Sequence, residues 1–313
     1  LKTTTEKKTL LIILGPTASG KTRLAVKLAQ QLKGEIISAD SRQVYRGMDI
    51  GTGKDIEEYG LGEAAVPYHL IDILPAGEKY NVSRFVEDVD RIYPQILSRG
   101  NLPILCGGTG MYLNTLLRGH QLVNVPVDLQ LRGNLLEMSK DSLIKQWLGL
   151  PTDLHPNADL STQKRIVRAI EVVKYLMQLP PEEREFSPRI KYTAKVFGLN
   201  PEVSLRRNRI SNRLRSRLND GLVEEVQGLL QNGISAEDLI YYGLEYKYVT
   251  MYLRGDIQYT EMVDRLETEI HRFAKRQMTF FRKMEKDGIL IDWLPSELTL
   301  EGQLSYIVQA YSK

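Results

Sequence analysis

The chain of 313 residues contains a single cysteine, Cys106. An intramolecular disulfide is therefore impossible, and so is any zinc site that needs two thiolates. Histidine is nearly as scarce: His69, His120, His155 and His271 are scattered without the spacing of metal ligands. No apolar run approaches the roughly 20 residues of a membrane-spanning helix. The opening LKTTTEKKTLLIIL has a short apolar stretch but no small-residue cleavage site, so it does not read as a signal peptide. Internal repeats and low-complexity tracts are absent. Charge is almost balanced, with 42 basic and 39 acidic side chains, net +3. That balance is compatible with a nucleic-acid partner and is no evidence for one. The expected setting is soluble, reducing and cytoplasmic, with no membrane partner.

What is present is a core-forming composition, 42% hydrophobic, ample for one large domain or two. The first third alternates strand-like and helix-like segments. LLIIL (10 to 14) reads as a buried strand, and residues 20 to 32 as a helix with Leu24, Ala25, Leu28 and Leu32 on one face. EIISA, YHLIDI and LPILC read as further strands. Between the last two, SRFVEDVDRIYPQILSRG predicts a helix capped by Ser83, stopped by Gly100 and kinked or divided at Pro94. Short apolar strands separated by helices predict a parallel sheet with helices on both faces. Past residue 119 the strand pattern fades. STQKRIVRAIEVVKYLMQL predicts an amphipathic helix with Ser161 as cap. KVFGLN returns to the sheet, and the C-terminal third is helical and rich in arginine, with a last strand in GILIDWL. Met251, Met262 and Met278 are read as core.

GPTASGKT, Gly15 to Thr22, fits G-x-x-x-x-G-K-[ST] between an apolar strand and an amphipathic helix. Gly15, Pro16, Thr17, Ala18, Ser19 and Gly20 shape a loop whose backbone N–H groups face an anion. Lys21 adds a point charge, and the Thr22 hydroxyl can bind Mg²⁺. A nucleotide hydrolase would also need an acid at a strand end to hold the metal. Asp40 and Asp72 are both available, so that use stays open on the motif alone. A second polar segment, ADSRQVYRGMDIGTGK, follows the second strand, and GGTGMY (107 to 112) follows the fourth. Ligands in open α/β sheets sit beyond the carboxyl ends of the strands. Asp40 at such an end can ligate metal, accept a proton or cap the next helix.

GPTASGKT, ISADSRQVYRGMDIGTGK, YHLIDI and PILCGGTGMY, in this order and spacing, resemble the tRNA dimethylallyltransferase family. The likeness extends to KRIVRAIEV, RNRISNRLRSRLNDGLVEEV and FAKRQMTFFRK, nearly the whole chain. It implies a P-loop NTPase-like parallel sheet core over 1–119 and 191–313, a helical tRNA-binding insertion over 120–190, and a monomer. It implies transfer of a dimethylallyl group from dimethylallyl diphosphate to N6 of the adenine 3′-adjacent to the anticodon. By resemblance Asp40 is the general base, Thr109 lies near the reacting groups, and Arg213 anchors pyrophosphate with Lys21, Thr22 and Mg²⁺. Ser41, Arg42 and Gln43 would meet the flipped base and its neighbours. Arg132, Lys164, Arg165, Arg168, Tyr246 and Lys247 would contact the tRNA anticodon stem-loop. A single cysteine excludes the zinc finger of eukaryotic relatives, which points to the bacterial type.

Three departures stand out. YYGLEYKYV carries Glu245 where the family has glycine, and a carboxylate near RNA phosphates is unfavourable unless paired. The stretch from Val125 to Gln163 is short. His155-Pro156-Asn157 is offset from the family's similar stretch, and no role is carried onto it. The alternatives are a transferase acting on free adenosine nucleotides, a P-loop small-molecule kinase, and a noncatalytic RNA-binding module.

Overall fold

Leu10–Leu14 (β1) is buried along its whole length, which is why it reads as an unbroken apolar run rather than an alternating one. A computed structural model describes residues 9–60, 65–119, 125–156, 158–184 and 192–311. The chain divides into two compact units, residues 1–118 with 190–313, and residues 119–189.

In the larger unit β1 is followed by α1 (Lys21–Leu32), β2 (Gly34–Ser38), β3 (Tyr45–Arg46), β4 (Tyr68–His69), β5 (Leu74–Pro75), α2 (Val82–Ser98), β6 (Leu102–Gly107) and α3 (Gly110–Arg118). The smaller unit holds α4 (Leu129–Leu136), α5 (Lys140–Leu148) and α6 (Gln163–Gln178). The larger unit resumes with β7 (Ala194–Gly198), α7 (Val203–Asn219), α8 (Leu222–Gln231), α9 (Ala236–Tyr242), α10 (Leu244–Leu253), α11 (Tyr259–Lys286), β8 (Asp292–Trp293) and α12 (Leu300–Tyr311).

Six strands form one parallel sheet in the order β4-β2-β6-β1-β7-β8. Leu10, Ile12 and Leu14 face one core with α2 and α3, while Leu11 and Ile13 face a second core with α1 and α12. This is the expected α/β class with helices on both faces. Met262 and Met278 are buried and Met251 packs partly buried against the same core. The smaller unit closes around Leu143, Trp147, Ile166, Ile170 and Val173. No helix among the described residues is long and apolar enough to cross a membrane.

The register matters most for the site. Leu14 pairs with Gly107 and Ser38 with Cys106, so β1, β2 and β6 end at one level. The chain leaving them is the phosphate loop, Asp40 and Thr109.

Several local expectations need correction. YHLIDI is not one strand: only Tyr68 and His69 join the sheet, because Leu70 and Asp72 turn with φ of 63° and 55°. The chain then pairs Leu74–Pro75 with Tyr45–Arg46 in a separate two-stranded ribbon. GILIDWL contributes only Asp292–Trp293. The cap of α2 is Asn81, whose side chain accepts from the Arg84 amide, and not Ser83. The cap of α6 is Thr162 rather than Ser161. In both cases the cap is the residue three positions before the amide it accepts from. Pro94 does not divide α2. It lies on the exposed face, where a missing backbone hydrogen bond costs least.

Candidate active site

The phosphate loop turns through Ala18 and Gly20 at φ of 60° and 89°, and Lys21 opens α1. Gly20 is the N-cap and offers no side chain to the first-turn amides, which leaves them for an anion. Burial pushes the Lys21 ammonium below the ordinary lysine value, while Cys106 and Asp40 oppose that shift. Lys21 Nζ donates to Pro16 O at 3.4 Å. Cys106, near the end of β6, packs in the core shared with α1, and burial pushes its thiol up to about 12, so it is neutral.

Asp40 and Thr109 hold their positions through the backbone between them. Asp40 Oδ1 accepts from the Arg42 amide at 2.9 Å, closing a turn on itself. No helix follows, so the helix-cap reading of Asp40 falls. Thr109 Oγ1 accepts from the Ser41 amide at 3.1 Å, and the Thr109 amide donates to Ala39 O at 3.2 Å. This stitching needs glycine at 107: a Cβ there would run into the Ala39 carbonyl. Ser38 Oγ donates to Gln43 Oε1 at 2.8 Å, and Gln43 Nε2 donates to Gly53 O at 3.0 Å. Gln43 thereby ties the second polar segment to its own far end.

That far end carries the arginines. Arg213 and Arg217 are four residues apart on α7, hence on one face. Both reach Gly53, where a Cβ would clash with the two guanidiniums. Arg213 donates to Gly53 O at 3.2 Å and to Asp55. Arg217 Nη1 donates to Glu245 Oε1 at 3.0 Å and to Gly51 O at 3.4 Å. Burial first, then the Arg217 charge, lower the pKa of Arg213, and Asp55 and Glu245 counter them. The loop under Gly53 is braced twice. Glu225 accepts from the amides of Asp49, Ile50 and Gly51 at 2.7, 2.7 and 3.0 Å. The buried Lys54 ammonium donates to Tyr45 O at 2.6 Å and pairs with Asp49 and Asp72.

A cavity of about 380 Å³ joins these pieces, lined by Lys21, Thr22, Asp40, Thr109, Arg213 and the apolar Phe273 among others. A second cavity of about 480 Å³ shares Lys21, Thr22 and Arg213 with it. Ser41, Arg42, Gln43 and Lys247 line the first cavity, and Arg42 lies over the Tyr241 ring at 5.2 Å.

Other expected site residues sit differently. Tyr246 is buried; its hydroxyl donates to Glu225 at 2.7 Å and braces the loop, and the residue also lines the first cavity. Arg132 clamps the buried Glu171 through two hydrogen bonds of 2.6 and 2.5 Å. Arg168 adds a third at 3.1 Å and donates to Val125 O at 2.9 Å. These two arginines neutralise a buried carboxylate within the smaller unit. Lys164 and Arg165 are exposed, Arg165 in contact with Asp159 and Ser161. Asn157 lies outside the described residues, as does His120. Asp72, a candidate metal-holding acid in the sequence, is committed to Lys54.

Known proteins match most of the chain. A family model described as IPP transferase matches residues 43–284, and one described as isopentenyl transferase matches residues 8–62. A tRNA dimethylallyltransferase of Porphyromonas gingivalis is 50% identical over 302 residues, covering 96% of this chain and 99% of its own. The chain belongs to the tRNA dimethylallyltransferase family. A second family member, from Bacteroides fragilis, is 50% identical over 300 residues. Among solved structures, the tRNA isopentenylpyrophosphate transferase of Bacillus halodurans matches with a TM-score of 0.70 at 31% identity, over 98% of this chain and 96% of that one. A eukaryotic dimethylallyltransferase solved acting on tRNA matches with a TM-score of 0.72 at 25% identity, over 91% of this chain and 74% of that one.

The resemblance covers α7 and α11 but gave no role to two parts of the site. Gln277 of α11 accepts from the Thr17 amide at 2.8 Å and donates to Gly108 O at 2.9 Å, bridging the phosphate loop to GGTG. Its signal was in the sequence: position 277 falls on the apolar stripe of Ile270, Ala274, Met278 and Phe281, and an amide there needs partners. The Arg217–Glu245 pair had a weaker signal, an arginine one turn after Arg213.

Proposed function

We propose that the chain transfers the dimethylallyl group of dimethylallyl diphosphate to N6 of the adenine 3′-adjacent to the anticodon of tRNA, releasing pyrophosphate. The observation that carries this reading is one cavity that brings Asp40, Thr109, Lys21 and Arg213 together at the carboxyl edge of the sheet. The adenine leaves its stack to enter the cavity, as bases undergoing chemistry do. N6 attacks C1 of the dimethylallyl group, the C1–oxygen bond breaks, and pyrophosphate departs. Asp40 takes the N6 proton. Its Oδ1 is held by the Arg42 amide, so Oδ2 is the oxygen that receives the proton. Thr109, fixed by Ser41, stands beside the reacting groups. Lys21, the loop amides and Arg213 stabilise the charge that grows on the leaving diphosphate.

Mg²⁺ fits this donor set. Among the described residues no cluster of three His, Cys, Asp or Glu side chains could hold a metal. Mg²⁺ is commonly held by few protein ligands, with substrate phosphates and water supplying the rest. The Thr22 hydroxyl would be the protein ligand, and the ion would supply charge neutralisation on the diphosphate.

Arg42, Gln43 and Lys247 line the cavity that takes the base. Lys164 and Arg165 supply exposed charge for RNA phosphates, while Arg132 and Arg168 position α6. We read the enzyme as a monomer acting on cytoplasmic tRNA.

The test is a transfer assay with Mg²⁺ and radiolabelled dimethylallyl diphosphate, offering unmodified tRNA in one tube and AMP, ADP or ATP in another. Label in tRNA, mapped to the base beside the anticodon, is expected. Label in free nucleotide alone, or hydrolysis of ATP without transfer, overturns the reading.

A further inference from the structure

Glu245 stands where a glycine was expected, and its carboxylate is neither exposed nor idle. Its side chain is 17% exposed and that of Arg217, its partner, 13%. Arg213 and Arg217 approach Gly53 together, and their charges repel: Arg217 is one of the groups that lower the pKa of Arg213. Two carboxylates balance two guanidiniums, Asp55 against Arg213 and Glu245 against Arg217. The two pairs differ in exposure. Asp55 is 39% exposed and Arg213 31%, so that pair is open to exchange. The Arg217–Glu245 pair is more enclosed, and breaking it would leave a charge without its partner.

We propose that Glu245 is a positioning residue for the prenyl diphosphate. By taking Arg217 into a fixed ion pair, it keeps that guanidinium on its own side of Gly53. Arg213 is then the arginine that turns from Asp55 to the incoming diphosphate. Without Glu245, Arg217 keeps no ion-pair partner among the described residues. It competes for Asp55 and for the Gly53 carbonyl, and Arg213 loses its place. The carboxylate thus acts through Arg217 and touches no substrate. This inference rests on the diphosphate being held at Lys21 and Arg213.

The experiment compares wild type, Glu245→Gln, Glu245→Asp and the double change Glu245→Gly with Arg217→Met. Two readouts are used: steady-state transfer to tRNA, and calorimetric binding of inorganic pyrophosphate with Mg²⁺. Glu245→Gln is expected to raise KM for dimethylallyl diphosphate about tenfold, the scale of one lost charged hydrogen bond, and to weaken pyrophosphate binding by a similar factor. KM for tRNA should stay within twofold. Glu245→Asp should recover part of the loss, and the double variant most of it, because both charges then leave together. Wild-type KM and pyrophosphate affinity in Glu245→Gln overturn the inference. So does a double variant as impaired as Glu245→Gln, since the carboxylate would then matter by itself. A wild-type protein that binds pyrophosphate yet transfers no label sinks the proposed reaction and leaves the pyrophosphate test of Glu245 standing.

Discussion

The Thr17 amide donates to the side chain of Gln277, 260 positions further along the chain, at 2.8 Å. Nε2 of that Gln277 side chain donates to Gly108 O at 2.9 Å. One side chain therefore sets the distance between the phosphate loop and the loop that presents Thr109. Gln277→Glu keeps the shape and the acceptor but loses the donor to Gly108, and it adds a negative charge near the diphosphate. Its kcat should fall at least tenfold with the fold intact by circular dichroism. An unchanged kcat would mean that the two loops hold their spacing without the bridge.

Asp40→Asn keeps the acceptor for the Arg42 amide and removes the proposed base. Turnover should drop about 10²- to 10⁴-fold, the range of general base catalysis, while tRNA affinity stays within a few fold. Collapse of tRNA binding would make Asp40 a structural residue.

Gly53→Ala tests the crowding at the arginines. The new methyl group would strike Arg213 and Arg217, and φ of 59° adds backbone strain. The strain alone costs about 1–3 kcal/mol. The variant should unfold at lower denaturant and bind pyrophosphate more weakly. A variant that loses stability but binds pyrophosphate as wild type does would separate the loop from the anion site.

Arg165→Ala should make the logarithm of tRNA affinity less steeply dependent on the logarithm of salt concentration, by about one unit of slope. Glu171→Gln should act differently. It strips the carboxylate from under Arg132 and Arg168 and destabilises the smaller unit by about 3 kcal/mol. An Arg165 variant with the wild-type slope would remove that residue from the RNA surface.

Glu35 gives the pH dependence of stability. It is buried beneath Arg99, Asn101 and His69, and the Arg99 hydrogen bonds lead in lowering its carboxyl to about 2 from 4.5. A carboxyl depressed on folding stabilises the protein above its unfolded value. That stabilisation, about 3 kcal/mol, fades as pH falls from 4.5 towards 2. Urea midpoints of wild type and Glu35→Gln should converge across that window; a gap that stays constant down to pH 2 would refute the assignment.

Much of the site was legible in the sequence because it depends on local rules. The phosphate loop, Asp40 and Thr109 each follow a strand, and the parallel register then aligns the three strand ends without further instruction. The arginine segment showed its charge but not its pairing. Whether an arginine meets RNA or a buried carboxylate depends on what packs against it, and Glu171 is buried only because α4 lies beside α6. The hydrogen bond from Tyr246 to Glu225 was hidden for the same reason, since burial is a property of packing. YHLIDI read as one strand because its apolar spacing carries no sign of the positive φ at Leu70 and Asp72.

The bridge from Thr17 to Gln277 also orders events during synthesis. At 5–20 residues per second, a ribosome that has just made the phosphate loop needs roughly 13 to 50 seconds to reach Gln277. Over that interval the nascent chain carries a loop with no latch, and β1 waits for β7 on one flank. The proposed anion site is thus among the first segments translated and among the last to be latched, so a chain truncated before Gln277 keeps the motif and lacks the bridge.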